Sequence, residues 1–238
     1  AVITHGGVDD LVYNDFYIGE DADVTIVAGC GVHNCDCEDS HHNGIHRFFL
    51  AKNSKVLYLE KHYGEGDGSG KRIINPETEV FAEEGSTMEM NTVQIKGVDS
   101  TVRTTRATLG PASTLIIKEK VMTHGKQLAK SDFTVDLNGE DCHTNVISRS
   151  VAREDSKQVF LARINGNAKC HGHSECDAII MDHASVIASP ALTANSVDAS
   201  LIHEAAIGKI AGEQLIKLMT LGLTEKEAED QIVNGFLK

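Results

Sequence analysis

Tryptophan is absent from this 238-residue sequence, proline occurs only 3 times, and phenylalanine and tyrosine occur only 7 and 4 times. With so few large rings available, we expect the core to be aliphatic. Apolar residues still make up 41% of the chain. That fraction is sufficient for one large folded domain, and it excludes global disorder.

Positive charge is also in short supply, with 22 bases against 35 acids and a formal net charge of −13. Each contact with phosphate needs a cation, so binding to nucleic acid or to an anionic membrane is not expected. No apolar run reaches the roughly 20 residues that cross a bilayer, and the start does not resemble a signal peptide. We therefore expect a cytoplasmic protein. The chain opens on Ala1 rather than methionine, which is compatible with a missing upstream segment.

Two segments resemble catalytic motifs but lack their essential residues. The glycine-rich run 64–72 has Glu65 where a phosphate loop needs its first glycine, and Arg72 where it needs serine or threonine. The run 172–176 ends in Cys176 instead of the glycine of a nucleophile elbow. The chain is therefore expected to be neither an ATPase nor a hydrolase.

The most regular feature is a polar turn followed by a short β-rich run, repeated along the chain. The small residues of these turns are mostly spaced by one or two multiples of about 14 to 16 positions: Ala22, Ser54, Ser86, Ser113, Cys142, Ser156, Ala184 and Ala199. A fixed period of strands with alternating polarity predicts a β-solenoid. A sandwich or jelly roll is the alternative, and the scarcity of proline and aromatic residues favours the solenoid.

The pattern becomes helical near the C-terminus. Residues 211–221 read as a short helix that ends at Gly222. Thr224 and Glu227 form a capping box that begins a second helix. We therefore divide the chain into a β-helix core domain, 1–204, and a C-terminal helical segment, 205–238.

The second predicted helix carries Ala228, Ile232 and Phe236 on one face. A helical segment this short cannot fold alone. It must dock on the solenoid or on another chain.

Six cysteines and twelve histidines suggest reduced thiols with metal or redox uses. One cluster contains Cys30, His33, Cys35 and Cys37, and the alternative is a polar loop whose thiols do not act together. A second run, 170–177, carries two thiols; buried cysteines that act as small apolar side chains are the alternative there. The third group, residues 203–204, could equally serve in capping or packing.

Five short motifs in order over 65 residues resemble the C-terminal half of SufB and SufD proteins. They are Gly172-His-Ser-Glu-Cys-Asp-Ala-Ile-Ile, His203-Glu-Ala-Ala-Ile-Gly-Lys-Ile, Glu213-Gln-Leu-Ile, Gly222-Leu-Thr-Glu-Lys-Glu-Ala and Ile232-Val-Asn-Gly-Phe. The N-terminal half, with Asn43-Gly-Ile-His-Arg-Phe and Glu60-Lys-His-Tyr-Gly-Glu-Gly, is similar to the shorter archaeal-type relatives.

The resemblance implies a right-handed parallel β-helix that serves as a scaffold, and not as an enzyme, for iron–sulfur cluster assembly. The cluster, [2Fe-2S] or [4Fe-4S], would be held transiently and passed to apo iron–sulfur acceptor proteins. A SufC-type ABC ATPase would dock on the C-terminal helices. The chain would form a homodimer through the ends of its β-helix, with the cluster near the dimer interface.

The resemblance also implies particular site residues. His203 stands where the SufD pattern has a functional histidine, and Glu204 where the SufB pattern has a glutamate. The cysteine of the SufB pattern falls near Ala184, so Cys176, the nearest upstream thiol, is the first candidate for its replacement. Secondary candidates for the metal site are Cys170, Cys30, His33, Cys35 and Cys37. Residues expected to bind the ATPase are Glu213, Gln214, Leu215, Leu218, Thr224, Ile232 and Phe236.

Two other functions are compatible with a β-helix. A polysaccharide-acting enzyme would need paired carboxylates and exposed aromatic rings, and the rings are scarce here. A metal-free structural adaptor of an ATPase would need only the docking helices.

Overall fold

The computed structural model describes residues 1–238 as a series of strands followed by two helices. The strands are β1 (Val2–Ile3), β2 (Asp9–Ile18), β3 (Asp23–His33), β4 (Ser40–Leu50), β5 (Lys55–Glu65), β6 (Arg72–Ala82), β7 (Thr87–Lys96), β8 (Ser100–Leu109), β9 (Thr114–Thr123), β10 (Leu128–Leu137), β11 (Cys142–Ala152), β12 (Lys157–Gly166), β13 (Cys170–Ile180), β14 (Ser185–Ala194) and β15 (Ala199–Gly208). The helices are α1 (Gly212–Met219) and α2 (Glu225–Phe236). Neither helix is long and apolar enough to cross a membrane.

The strands form two parallel sheets that face each other. The odd-numbered strands form sheet A, in the order β1 to β15, and the even-numbered strands form sheet B, in the order β2 to β14. Each coil contributes one strand to each sheet, and about seven coils stack along the axis. The predicted parallel β-helix with a C-terminal helical segment is confirmed.

The corners of the solenoid explain the predicted period. One corner stacks Ser54, Ser86 and Ser113 on successive coils, and each buried hydroxyl donates to the carbonyl three residues earlier at 2.7–2.8 Å. A full coil takes 32 residues between the pair Lys55 and Thr87 in sheet A. The predicted interval of about 14 to 16 is therefore one strand with its turn, or half a coil.

The main core is a cluster of 22 buried side chains between the sheets. Its largest members include the aromatic residues Phe48, Tyr58 and Phe133. Most of the other core side chains are aliphatic, as expected. The few rings pack on one another across the two sheets, as Phe48 and Tyr58 do at a centroid separation of 5.0 Å.

Charged side chains also lie inside the solenoid. Arg103 donates to Glu60 at 2.6 Å, and its Nε lies 3.5 Å from a Glu119 oxygen. Ser131 and Ser148 donate to the two oxygens of Glu119 at 2.6 and 2.9 Å. Every oxygen of these buried carboxylates has a partner, which is the condition under which buried charge is tolerated.

Burial by itself would raise the pKa of Glu60, but the charge of Arg103, followed by that of His62, holds this pKa well below its usual value of 4.5. Burial also opposes the charged form of Arg103, but Glu60 and Glu119 raise its pKa. Both partners are therefore charged at neutral pH. Because the pKa of Glu60 is lower in the folded chain, its stabilising contribution is complete above about pH 4.5 and is lost as the pH falls toward the folded-state pKa.

Helix α2 docks on the solenoid. The capping box is confirmed, because the Thr224 hydroxyl accepts from the Glu227 amide at 3.3 Å while the Thr224 amide donates to the Glu227 carboxylate at 2.8 Å. Val233 and Leu237 pack on Val151 of β11. Ala228 of the predicted face is fully buried, whereas Ile232 and Phe236 are partly buried, so the buried face is shifted toward Val233 and Leu237.

Helix α1 has no buried residue. The predicted boundary between residues 204 and 205 falls inside β15, which runs to Gly208. The division into two domains stays a prediction.

Two arginines of β8 allow the interior ion pair to be tested against a surface pair. Replacing Arg103 by alanine should cost about 3–5 kcal/mol of unfolding free energy, because Glu60 and Glu119 lose their buried cation. Replacing Arg106, whose pair with Glu77 is exposed, should cost less than about 1 kcal/mol. Denaturant unfolding measures both variants, and equal losses would contradict the interior network.

Candidate functional site

The predicted residues at the C-terminal end lie on two adjacent strands of sheet A. In the register of β13 and β15, Ser174 pairs with His203 and Glu175 pairs with Glu204. Successive side chains of a strand point to opposite faces. Ser174 is buried, so His203 faces the interior, whereas Glu204 faces outward. β15 is the last strand of its sheet, so both faces end at a free edge.

Cys176 forms part of the interior face. Its neighbour in register is Ser148, whose own neighbour is Glu119. Burial, followed by the negative charges of Glu119 and Asp177, raises the pKa of the Cys176 thiol to about 12. The thiol is therefore protonated at neutral pH, and a bound metal would have to displace its proton.

Two polar atoms on the same interior face as Cys176 lack partners. His203 Nδ1 and Ser174 Oγ are buried, and neither has a hydrogen-bond partner. Buried polar atoms are nearly always paired. An unpaired couple of hydroxyls, Thr78 Oγ1 and Thr105 Oγ1, also occurs deeper in the solenoid, so the distinctive feature here is an unpaired imidazole nitrogen next to a free edge. An imidazole nitrogen and a thiol at the same end of the interior form a donor set suited to iron.

The outer face carries a second group of donors. The ligand atoms of His173, Glu175 and Glu204 all lie within 4.8 Å of one another. His173 Nε2 is 3.7 Å from a Glu204 oxygen. Burial, followed by a hydrogen bond with Asp177, raises the pKa of Glu175. These carboxylates and the imidazole could together hold a divalent cation.

The structure thus brings Cys176 and His203 to one face and places Glu204 on the other. His173 and Glu175 are not among the site residues predicted from the sequence. Because they are two residues apart in a predicted strand, the sequence indicates that they share a face. Their proximity to Glu204 follows only from the register between β13 and β15.

Cys170 lies at a corner of the solenoid, where it stacks on Cys142 in the place that serines occupy on earlier coils. Both thiols are buried, and burial raises the pKa of each, to about 11 for Cys142. This placement corresponds to the alternative in which cysteine acts as a small apolar side chain.

The remaining predicted thiols lie near the other end. Cys30 is buried, and burial is the main cause that raises its pKa. Cys35 and Cys37 are exposed, and the Cys35 sulfur is 3.2 Å from His33 Nε2. β3, which carries Cys30, is five strand spacings from β13 in sheet A, or roughly 24 Å. The structure therefore separates this cluster from Cys176.

The glycine-rich segment 64–72 packs against the loop that carries the exposed Cys35 and Cys37. A Cβ on Gly68 would overlap the Asp36 carbonyl oxygen and the Cys35 carbonyl carbon. The Gly70 amide donates to the Asp36 carbonyl at 3.0 Å. The run once compared with a phosphate loop thus packs against backbone.

Comparison with known proteins decides the family. A family model described as the SufBD core domain, for SUF-system FeS cluster assembly, matches residues 13–236. The chain belongs to the SufBD family. The resemblance inferred from the five motifs is confirmed.

SufBD relatives from archaea match almost the whole chain. An iron–sulfur cluster assembly SufBD family protein of Methanocaldococcus jannaschii is 29% identical over 99% of the chain and 74% of its own length. Others from Archaeoglobus fulgidus and Methanothermobacter thermautotrophicus (strain Winter) are 30% and 26% identical, over 95% and 97% of the chain. The chain spans only 60% and 56% of those two relatives.

The C-terminal helices of this SufBD chain carry the residues predicted to bind a partner. Of these, Glu213, Gln214 and Thr224 are exposed, whereas Leu215, Leu218, Ile232 and Phe236 are partly buried. Three further apolar side chains of this segment are exposed: Ile216, Met219 and Leu221, at 63%, 42% and 76%. An apolar surface on a short helix is typical of a protein interface.

The burial of the thiols predicts their reactivity in the SufBD chain. An alkylating reagent at neutral pH should modify Cys35 and Cys37 in the native state and all six cysteines in denaturant. Peptide mass spectrometry measures the sites. Modification of native Cys176 as fast as Cys35 would contradict its buried, protonated state.

Proposed function

We propose that this chain is a cytoplasmic, non-enzymatic scaffold on which an iron–sulfur cluster is assembled before transfer to apo acceptor proteins. Membership of the SufBD family supports the general role. The observation that carries the site is the unpaired, buried His203 Nδ1 on the last strand of sheet A, on the same interior face as Cys176. A polysaccharide-acting enzyme, the alternative from the sequence, has no comparable support.

In this proposal the cluster, [2Fe-2S] or [4Fe-4S], is cargo. Cys176 gives up its proton as iron binds, and His203 offers its free nitrogen. Glu204 contributes a carboxylate at the free edge of β15. Such a set contains fewer thiolates than a four-cysteine site, so it holds iron less tightly and favours release to an acceptor.

A second copy of the chain would complete the site. β14 and β15 are the terminal strands of the two sheets, and each presents an unpaired backbone edge. Exposed Ile187 and Ile207 lie on these strands. Exposed edges with apolar side chains favour pairing with another chain. A homodimer through this end would place two sets of Cys176 and His203 near each other.

A SufC-type ABC ATPase is the proposed partner of the helices. Helix α1 buries none of its residues against the solenoid, and its exposed Ile216 and Met219 would dock on the ATPase. Only residues 209–211 separate α1 from β15. Movement of α1 during the ATPase cycle would therefore pull directly on the strand that carries His203 and Glu204.

Cluster assembly is tested by anaerobic reconstitution of the chain with ferrous iron and sulfide. The unaltered chain should become brown, and Cys176→Ser or His203→Ala should lose that visible absorption together with bound iron and sulfide. The matched controls are Cys142→Ser, which changes a buried corner thiol, and His183→Ala, which changes an exposed imidazole. Both controls should retain the cluster.

Circular dichroism verifies that each variant keeps its β-sheet content. Retention of full iron and sulfide in the Cys176 and His203 variants would refute the assigned ligands. An unaltered chain that binds the ATPase but never acquires a cluster would instead favour the metal-free adaptor.

The ATPase interface is tested with Ile216→Asp, which places a charge on the exposed apolar side of α1. The variant should lose most of its affinity for a purified SufC-type ATPase from the same organism, measured by calorimetry. Lys226→Ala, an exposed change on α2, should bind normally. Equal affinity of the two variants would place the interface elsewhere.

A further inference from the structure

The outer face of sheet A has a group of donors that the cluster proposal does not use as a unit. His173 and Glu175 lie two residues apart on β13, and Glu204 is the register partner of Glu175 on β15. Their donor atoms lie within 4.8 Å of one another. The three side chains thus project from adjacent positions of a hydrogen-bonded sheet, which restricts their relative movement.

A neighbouring side chain orients the imidazole. His173 Nδ1 lies 2.9 Å from Asn145 Oδ1, and Asn145 is the register partner of His173 on β11. An amide oxygen only accepts, so Nδ1 carries the proton and Nε2 keeps its lone pair. Nε2 is the atom that faces Glu204, at 3.7 Å. Metal-binding histidines are usually held in this way by a hydrogen bond on their other nitrogen.

The local charge favours a cation. Glu175, Asp177 and Glu204 supply three carboxylates on this face, and Arg149, the register partner of Asp177, is the cation beside them. A divalent ion would neutralise the excess negative charge. One imidazole and two carboxylates are borderline and hard donors, which suit ferrous iron, manganese, cobalt or zinc and leave coordination positions open.

We propose that His173, Glu175 and Glu204 form a mononuclear divalent-metal site that receives ferrous iron at the outer surface. Its role as the entry point for cluster iron rests on the scaffold function proposed above, whereas metal binding does not.

The free edge of β15 provides a short route between the two sites. Glu204 and His203 are consecutive residues with side chains on opposite faces of the last strand. Iron that leaves the outer site has only one strand to pass before it reaches the interior face with Cys176. Transfer of iron from the outer site to the interior face is favourable, because the outer site has no thiolate and thiolate binds iron more tightly than carboxylate does.

Cobalt(II) is a suitable probe, because its spectrum distinguishes the two sites. Titration of the metal-free full chain, with the exposed Cys35 and Cys37 replaced by serine, should give weak visible bands of nitrogen and oxygen ligation, without the intense near-ultraviolet charge-transfer band of thiolate. Asn145→Ala should weaken binding by about 10- to 100-fold by releasing the imidazole. Glu175→Gln removes a ligand and should weaken binding at least as much.

His171→Ala is the matched control. His171 is exposed on the same strand and outer face, where it stacks on His143 at 5.2 Å. Its removal should leave cobalt affinity unchanged. Unchanged cobalt affinity in Glu175→Gln, or cobalt bands that all disappear in Cys176→Ser, would overturn the outer site.

The two proposals fail in different ways. If Glu175→Gln binds cobalt normally while Cys176→Ser alone abolishes the cluster, the outer metal site is refuted and the scaffold function is supported. If Glu175→Gln loses cobalt but the unaltered chain forms no cluster, the outer metal site is supported and the scaffold function is refuted. If both hold, Glu175→Gln should assemble the cluster more slowly at limiting iron and normally at excess iron.

Discussion

The structure depends on parallel stacking in register, in which each residue lies against its counterparts one coil before and one coil after. A side chain that faces the interior on one coil therefore continues an interior row along the whole axis. The row that ends at His203 illustrates this constraint: Ile26, Tyr58, Met90, Ile117, Val146, Ser174 and His203. Every side chain from Ile26 to Val146 in this row is apolar or aromatic, and the row becomes polar only at Ser174 and His203. No further coil packs on His203.

The neighbouring interior row is mainly polar, with Glu60, Thr92, Glu119, Ser148 and Cys176 in sequence. Arg103 reaches this row from the opposite sheet. A slip of one residue in β8 would turn Arg103 outward and leave two buried carboxylates without their cation. The interior charges thus penalise incorrect register more strongly than an apolar interior would.

The fold could be predicted from the sequence because the period and the alternation of polarity are local properties. The capping box at Thr224 was predictable for the same reason. The site could be predicted only in part. The faces of Cys176 and Glu204 depend on which residues pair across coils, and coil length varies from 32 residues at Lys55–Thr87 to 27 at Thr87–Thr114. His173 and Glu175 could not be joined to Glu204 without that register.

Neither the composition nor the repeat period of the sequence indicates that charged side chains lie inside the solenoid. A buried carboxylate and a surface carboxylate look the same in a strand that alternates. The approach of Arg103 from the other sheet, which distinguishes Glu60 from the surface carboxylates, depends on the fold.

The last coil has a neighbour on one side only. β14 and β15 each pair with a single strand, whereas strands in the middle of the stack pair with two. In a stacked repeat, local cooperativity decreases toward a terminus, so this coil opens more readily than the coils in the middle of the stack, and its amide hydrogens exchange faster than theirs. His203 and Glu204 therefore belong to a less protected part of the solenoid than the central coils. Binding that tethers this segment slows its opening, and partial melting there loosens whatever the two residues hold.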